Sequence, residues 1–86
     1  MNEIFWHDRA RKQMKKIPAH YREAIHEHVD QLNVFPEHQG LDIKALKNHR
    51  HGYRLRVGCY RVLFDHEDEI RIIKIQEVKK RDERTY

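Results

Sequence analysis

Apolar and polar positions follow two rhythms along this chain, and the change between them separates a helical first half from a stranded second half. Asn2 to Trp6 is a short apolar, β-prone run that predicts a strand, with Trp6 as core. Asp8 stands at an N-cap position ahead of Ala10, Met14 and Ile17, whose i, i+4, i+7 spacing predicts a first helix. Pro18 ends that helix and can open a second. In the second, Tyr21, Ala24, Ile25, Val29 (or His28) and Leu32 form one apolar stripe down to Phe35-Pro36.

From Tyr53 the period becomes two. The stretch Tyr53-Arg54-Leu55-Arg56-Val57-Gly58-Cys59-Tyr60-Arg61-Val62-Leu63-Phe64 predicts a hairpin. With Gly58-Cys59 as a two-residue turn, Val57 faces Tyr60, Leu55 faces Val62 and Tyr53 faces Phe64, all apolar or aromatic. The same register sets Arg56 opposite Arg61 and Arg54 opposite Leu63 on the other face, so one face is core and the other cationic. An acidic loop over 65–69 leads into a further strand from Ile70 through Ile72, Ile73 and Ile75 to Val78. Its apolar parity switches at Ile72-Ile73, which fits either burial on both faces or a bulge. The expected architecture is α+β: two N-terminal helices packed on one face of a small, mostly antiparallel sheet, in the order β-α-α-β-β-β. With 3 glycines, 2 prolines and no repeats, residues 1–86 read as a single domain.

Composition narrows the possibilities. At 86 residues, 38% hydrophobic and 37% charged, with a mean hydropathy of −1.03, the chain can hold one small core. Its longest apolar runs, Ile4-Phe5-Trp6 and Val62-Leu63-Phe64, are far short of the roughly 20 residues of a membrane span. No signal-like apolar region follows Met1, so a soluble, cytoplasmic protein with no membrane partner is expected. The lone Cys59 excludes an internal disulfide. Residues 1–43 carry 6 Lys/Arg against 7 Asp/Glu, and residues 44–86 carry 12 against 7, so the positive excess lies in the second half, as a polyanionic partner would require.

Like charges facing each other across a strand pair are destabilising, so Arg54, Arg56 and Arg61 on one face call for an anion. The planar guanidinium fork matches phosphate, and Asp65 is the only acid within 53–66 that shares their parity. Among the 8 histidines, His26-Glu27-His28 and His49-Arg50-His51 have the look of metal ligands. On a helix i and i+2 do not share a face, and the second pair sits among cations that would repel an ion, so no metal and no cofactor is expected. The end of the chain, Lys79-Lys80-Arg81-Asp82-Glu83-Arg84-Thr85-Tyr86, is basic and closes on an aromatic able to stack on a base.

Lys44-Ala45-Leu46-Lys47, Gly52, the run from Tyr53 to Phe64, Lys80-Arg81 and Tyr86 together resemble the RelE branch of the RelE/ParE toxin superfamily, along the whole chain. The resemblance implies a bacterial type II toxin neutralised by a cognate antitoxin and reaching operator DNA only through it. The implied activity is a ribosome-dependent, metal-independent endoribonuclease that cleaves mRNA in the A site. On this resemblance Arg56, Arg61, Arg81 and Tyr86 are the catalytic residues, and Lys47, His49, His51, Arg54, Lys79, Lys80 and Arg84 contact RNA. Some relatives carry lysines where this chain has Arg54 and Arg56, and arginine is a poor proton acceptor, so the general base falls to His49, His51, Lys47 or Tyr86. Cys59 stands at the turn where many relatives have a polar residue such as Asp. A ParE-like inhibitor of DNA gyrase, which cleaves nothing, and a silent antitoxin-bound co-repressor share the fold. The convergent arginine face favours the nuclease.

Overall fold

The computed structural model describes residues 1–38 and 40–80, so the expectations for Arg81, Arg84 and Tyr86 lie outside the described residues. The chain runs β1 (Glu3–Trp6), α1 (Asp8–Lys15), α2 (Ala19–Asp30), a 3-10 turn (Gln31–Val34), β2 (Asp42–Ala45), β3 (Tyr53–Val57), β4 (Tyr60–Glu67), a second 3-10 turn (Asp68–Ile70) and β5 (Ile72–Lys80). The strands form one five-stranded sheet in the order β1-β5-β4-β3-β2. Only β1 with β5 is parallel; the other pairs are antiparallel.

The two helices and the sheet share one core. Ala10 and Met14 of α1 and Ile25 and Val29 of α2 are buried together with Leu55, Val62, Phe64, Ile73 and Ile75 of the sheet. Phe35, just after the first 3-10 turn, closes one end by meeting Phe64 edge-on at 5.4 Å and Tyr53 at 5.0 Å. Trp6 is half-buried against this core, with its ring 5.1 Å from that of His26. Burial of the aliphatic side chains, each contributing about 1.5–3 kcal/mol, is what holds so small a domain together.

The hairpin register is the expected one: Tyr53↔Phe64, Leu55↔Val62 and Val57↔Tyr60 on the core side, Arg54↔Leu63 and Arg56↔Arg61 on the other. Gly58 at φ +57 supplies the positive φ that such a two-residue turn demands at its first position. Elsewhere the structure corrects the pattern. The N-cap of α1 is His7, whose Nδ1 accepts from the Arg9 N–H, and Asp8 is the first helical residue. Pro18 does separate the helices, but α2 ends at Asp30 and the stripe continues through the 3-10 turn to Leu32.

An additional strand, β2, pairs with β3, so the order is β-α-α-β-β-β-β. Residues 65–67, expected in a loop, extend β4, because the in–out alternation continues with His66 pointing inward to meet Phe35 edge-on at 5.0 Å. In β5 both explanations of the parity switch hold. The strand is central, between β1 and β4, with Ile72 half-buried on the open face. A register shift then leaves Gln76 as an extra residue between the pairs Phe64↔Ile75 and Leu63↔Glu77, returning Val78 to the core.

Candidate nucleic-acid interface

The sheet face away from the helices is built from cross-strand rows. One row runs Asp42, Arg56, Arg61, Lys79 across β2, β3, β4 and β5, and its neighbour runs Lys44, Arg54, Leu63, Glu77. Because paired residues share a face, alternation alone gathers these cations on one surface. Lys44, Arg54, Arg56 and Arg61 line a cleft of about 310 Å³, with Leu46, Cys59 and Tyr60 at its margin. None of the described residues lining it is acidic. Arg54 is held by Asp42, an acid outside 53–66, with Nη2 donating to Oδ1 at 2.9 Å. Arg56 is exposed, directly across the ladder from Arg61.

Beside the cleft the segment 46–52 folds into a loop closed by the Leu46 N–H donating to the Gly52 carbonyl at 2.8 Å. It is anchored to the open face by Asp65. One Asp65 oxygen accepts from the Gly52 N–H at 2.7 Å, and the other is met by Gln76 Nε2 at 3.1 Å and His51 Nδ1 at 3.4 Å. His51 Nε2 lies 3.2 Å from Glu77 Oε2, and Lys79 Nζ lies 3.4 Å from the other Glu77 oxygen. The bulge is what makes this possible, since it turns both Gln76 and Glu77 onto the open face. Burial is the largest influence on the Glu77 carboxyl and pushes its pKa up. The Lys79 charge and the hydrogen bonds from His51 and Lys79 outweigh it together, holding the group below its ordinary value of 4.5.

The sequence-predicted residues therefore fall into separate places. Arg54, Arg56 and Arg61 come together in the cleft, and Lys79 continues their row. Lys47 and His49 are exposed in the adjoining loop, where His49 Nδ1 accepts from the His51 N–H at 3.0 Å. His51 is only 8% exposed, and its two ring nitrogens face the carboxylates of Asp65 and Glu77. Lys80 pairs with Tyr60 and so lies at the end of β5 on the helix-side face. Sequence reading missed Lys44 and Asp42 as neighbours of the arginines. Their one signal was the alternation Asp42-Ile43-Lys44, too short to read as a strand. Among the described residues no group of three or more His, Cys, Asp or Glu side chains could hold a metal ion.

Residues 4–85 match the family described as ParE toxin of type II toxin-antitoxin system, parDE. The chain belongs to that family. Its fold is that of solved RelE toxins: the archaeal RelE of the RelE–RelB complex from Pyrococcus horikoshii OT3 superposes with a TM-score of 0.80 at 25% identity, over 95% of this chain and 97% of that one. The RelBE2 toxin–antitoxin complex of Mycobacterium tuberculosis gives 0.79 at 26% identity, over 93% and 98%. The isolated Escherichia coli RelE toxin gives 0.77 at 18% identity, over 95% and 86%, a likeness of fold alone. No curated protein matches by sequence. This type II toxin is thus a RelE-like member of the RelE/ParE superfamily.

Proposed function

We propose that this toxin is a ribosome-dependent endoribonuclease that cuts mRNA in the A site. The cleft that gathers Arg54, Arg56 and Arg61 with Lys44 on the open face carries the reading, because guanidinium groups converging on one surface suit the anionic oxygens of a phosphodiester. In such a cut the 2′ oxygen bonds to phosphorus as the bond from phosphorus to the 5′ oxygen breaks. A 2′,3′-cyclic phosphate and a 5′-hydroxyl result. Arg56 and Arg61 stabilise the charge that builds on the non-bridging oxygens, work for which a fixed guanidinium suits better than for proton transfer. The 2′ proton passes to one of Lys47, His49 and Tyr86, and the departing 5′ oxygen takes up a proton from solvent water, with Arg81 as an electrostatic aid. Lys79 extends the phosphate-contacting surface, and Arg84 is a further RNA contact of this reading.

The partner in the cell is a cognate antitoxin, in keeping with the RelB chains bound to the toxins of Pyrococcus horikoshii and Methanococcus jannaschii, and contact with operator DNA is made through it. The site of action is the cytoplasm, where messages are translated. No helix among the described residues is long and apolar enough to cross a membrane. The matched family is named for ParE, which favours gyrase inhibition as the second reading.

Primer extension on a message paused on ribosomes separates the two. Wild-type protein should leave cuts within the A-site codon bearing cyclic-phosphate ends, and Arg56→Ala, Arg61→Ala and Tyr86→Ala should lose them. A folded, toxic wild type that leaves no cuts overturns the nuclease reading in favour of gyrase.

A further inference from the structure

Asp42 has no part in the reading above, yet it is the acid placed against the arginines of the cleft. It stands across the ladder from Arg56, and its Oδ1 accepts from Arg54 Nη2 at 2.9 Å. Asp42 is accessible, with 55% of its side chain exposed, while only 23% of the Arg54 side chain is. The Arg54 Nε, on the same fork, is buried and has no hydrogen-bond partner among the described residues. One donor of the guanidinium is thus occupied by a solvent-exposed carboxylate, and another is unsatisfied.

A carboxylate and a phosphate offer a guanidinium the same kind of anionic oxygens. We propose that Asp42 is a specificity-determining residue of the cleft, occupying Arg54 in place of a phosphodiester until RNA displaces it. The inference rests on the nucleic-acid reading of the cleft and deepens it. A strand that touches Arg56 or Arg61 through one phosphate meets the Asp42 charge and gains nothing from Arg54. A strand that crosses from the Arg56 and Arg61 row onto the neighbouring row brings a second phosphate to Arg54 and exchanges it for Asp42. Asp42 therefore supplies the repulsive element by which a cationic surface discriminates between loosely and fully engaged RNA.

The test is a binding cycle with a short single-stranded 2′-O-methyl RNA, which has no free 2′-hydroxyl and cannot be cut, followed by fluorescence anisotropy. Asp42→Asn should bind about 2- to 5-fold more tightly than wild type at low salt, the scale of an exposed ion pair. The gain should shrink as salt rises. In an Arg54→Ala background the gain from Asp42→Asn should be clearly smaller, because only the direct repulsion of the phosphate by Asp42 is then removed. A gain of undiminished size without Arg54, or an Asp42→Asn protein that binds no better than wild type, overturns the proposal while leaving the cleft as an RNA site. Wild-type binding no tighter than that of Arg56→Ala and Arg61→Ala overturns the nucleic-acid reading and this proposal with it.

Discussion

His51 Nε2 and Glu77 Oε2 lie 3.2 Å apart beneath the open face of the sheet, joining the 46–52 loop to the bulged strand β5. They are the buried polar side chains among the described residues, and each is the other's partner. The Asp65 oxygens complete the anchor on the loop side. The loop next to the cationic cleft is therefore fixed by hydrogen bonds and charge, with little apolar packing of its own.

Removing the imidazole leaves two carboxylates facing an empty space. His51→Ala should destabilise the protein by about 1–3 kcal/mol, the cost of leaving buried polar groups without partners. Urea denaturation followed by circular dichroism measures it, and a midpoint equal to that of wild type would show that the anchor contributes nothing.

Glu77 gives the fold an acid-sensitive side. Its folded pKa is depressed below 4.5, so its charged form contributes stability that is fully present above the unfolded value and is lost as pH falls through the folded value. Stability should decline below pH 4.5. Glu77→Gln, which cannot titrate, should be less stable than wild type at neutral pH and should lose less between neutral and acidic pH. Denaturant midpoints across that range read both effects.

Gly52 lies against the Asp65 carboxylate. A Cβ there would come within 3.3 Å of Asp65 Oδ1, an atom already held by the Gly52 N–H at 2.7 Å. Since Asp65 is also tied to Gln76 and His51, it has little room to give way. Gly52→Ala should cost about 1 kcal/mol or more through this crowding, despite the smaller entropy of its unfolded chain. Thermal unfolding of the variant beside wild type tests the sign.

Arg56 and Arg61 oppose each other across the hairpin, so the cleft is held at some expense to the fold. Arg56→Ala should leave stability unchanged or raise it by about 0.2–1 kcal/mol. The same change should lower A-site cleavage by about 10²–10³-fold, as expected on removing a group that stabilises transition-state charge. Unfolding and primer-extension measurements made in parallel should show cleavage lost with no loss of stability.

What the sequence by itself determined is local. The hairpin from Tyr53 to Phe64 was legible to the residue because its turn needs two residues with Gly58 first, and a one-residue slip would expose every core side chain. The two helices were legible through their apolar spacing and the break at Pro18, and the cationic face followed from the hairpin by alternation.

Only the tertiary structure decided what depends on distant partners. Strand β2 exists because β3 offers its free edge. Of its four residues only Ile43 is half-buried and the rest are exposed, so no hydrophobic rhythm announced it. The Asp42 and Arg54 pair follows from that pairing and was invisible for the same reason. From the sequence His51 reads as an RNA contact and a candidate base, beside cations. Its partner Glu77 lies 26 positions away, and the bulge that turns Glu77 toward it belongs to the pairing of β5 with β4. Short-range sterics and periodicity are written in neighbouring residues, whereas edge pairing and buried polar contacts arise only when the sheet assembles.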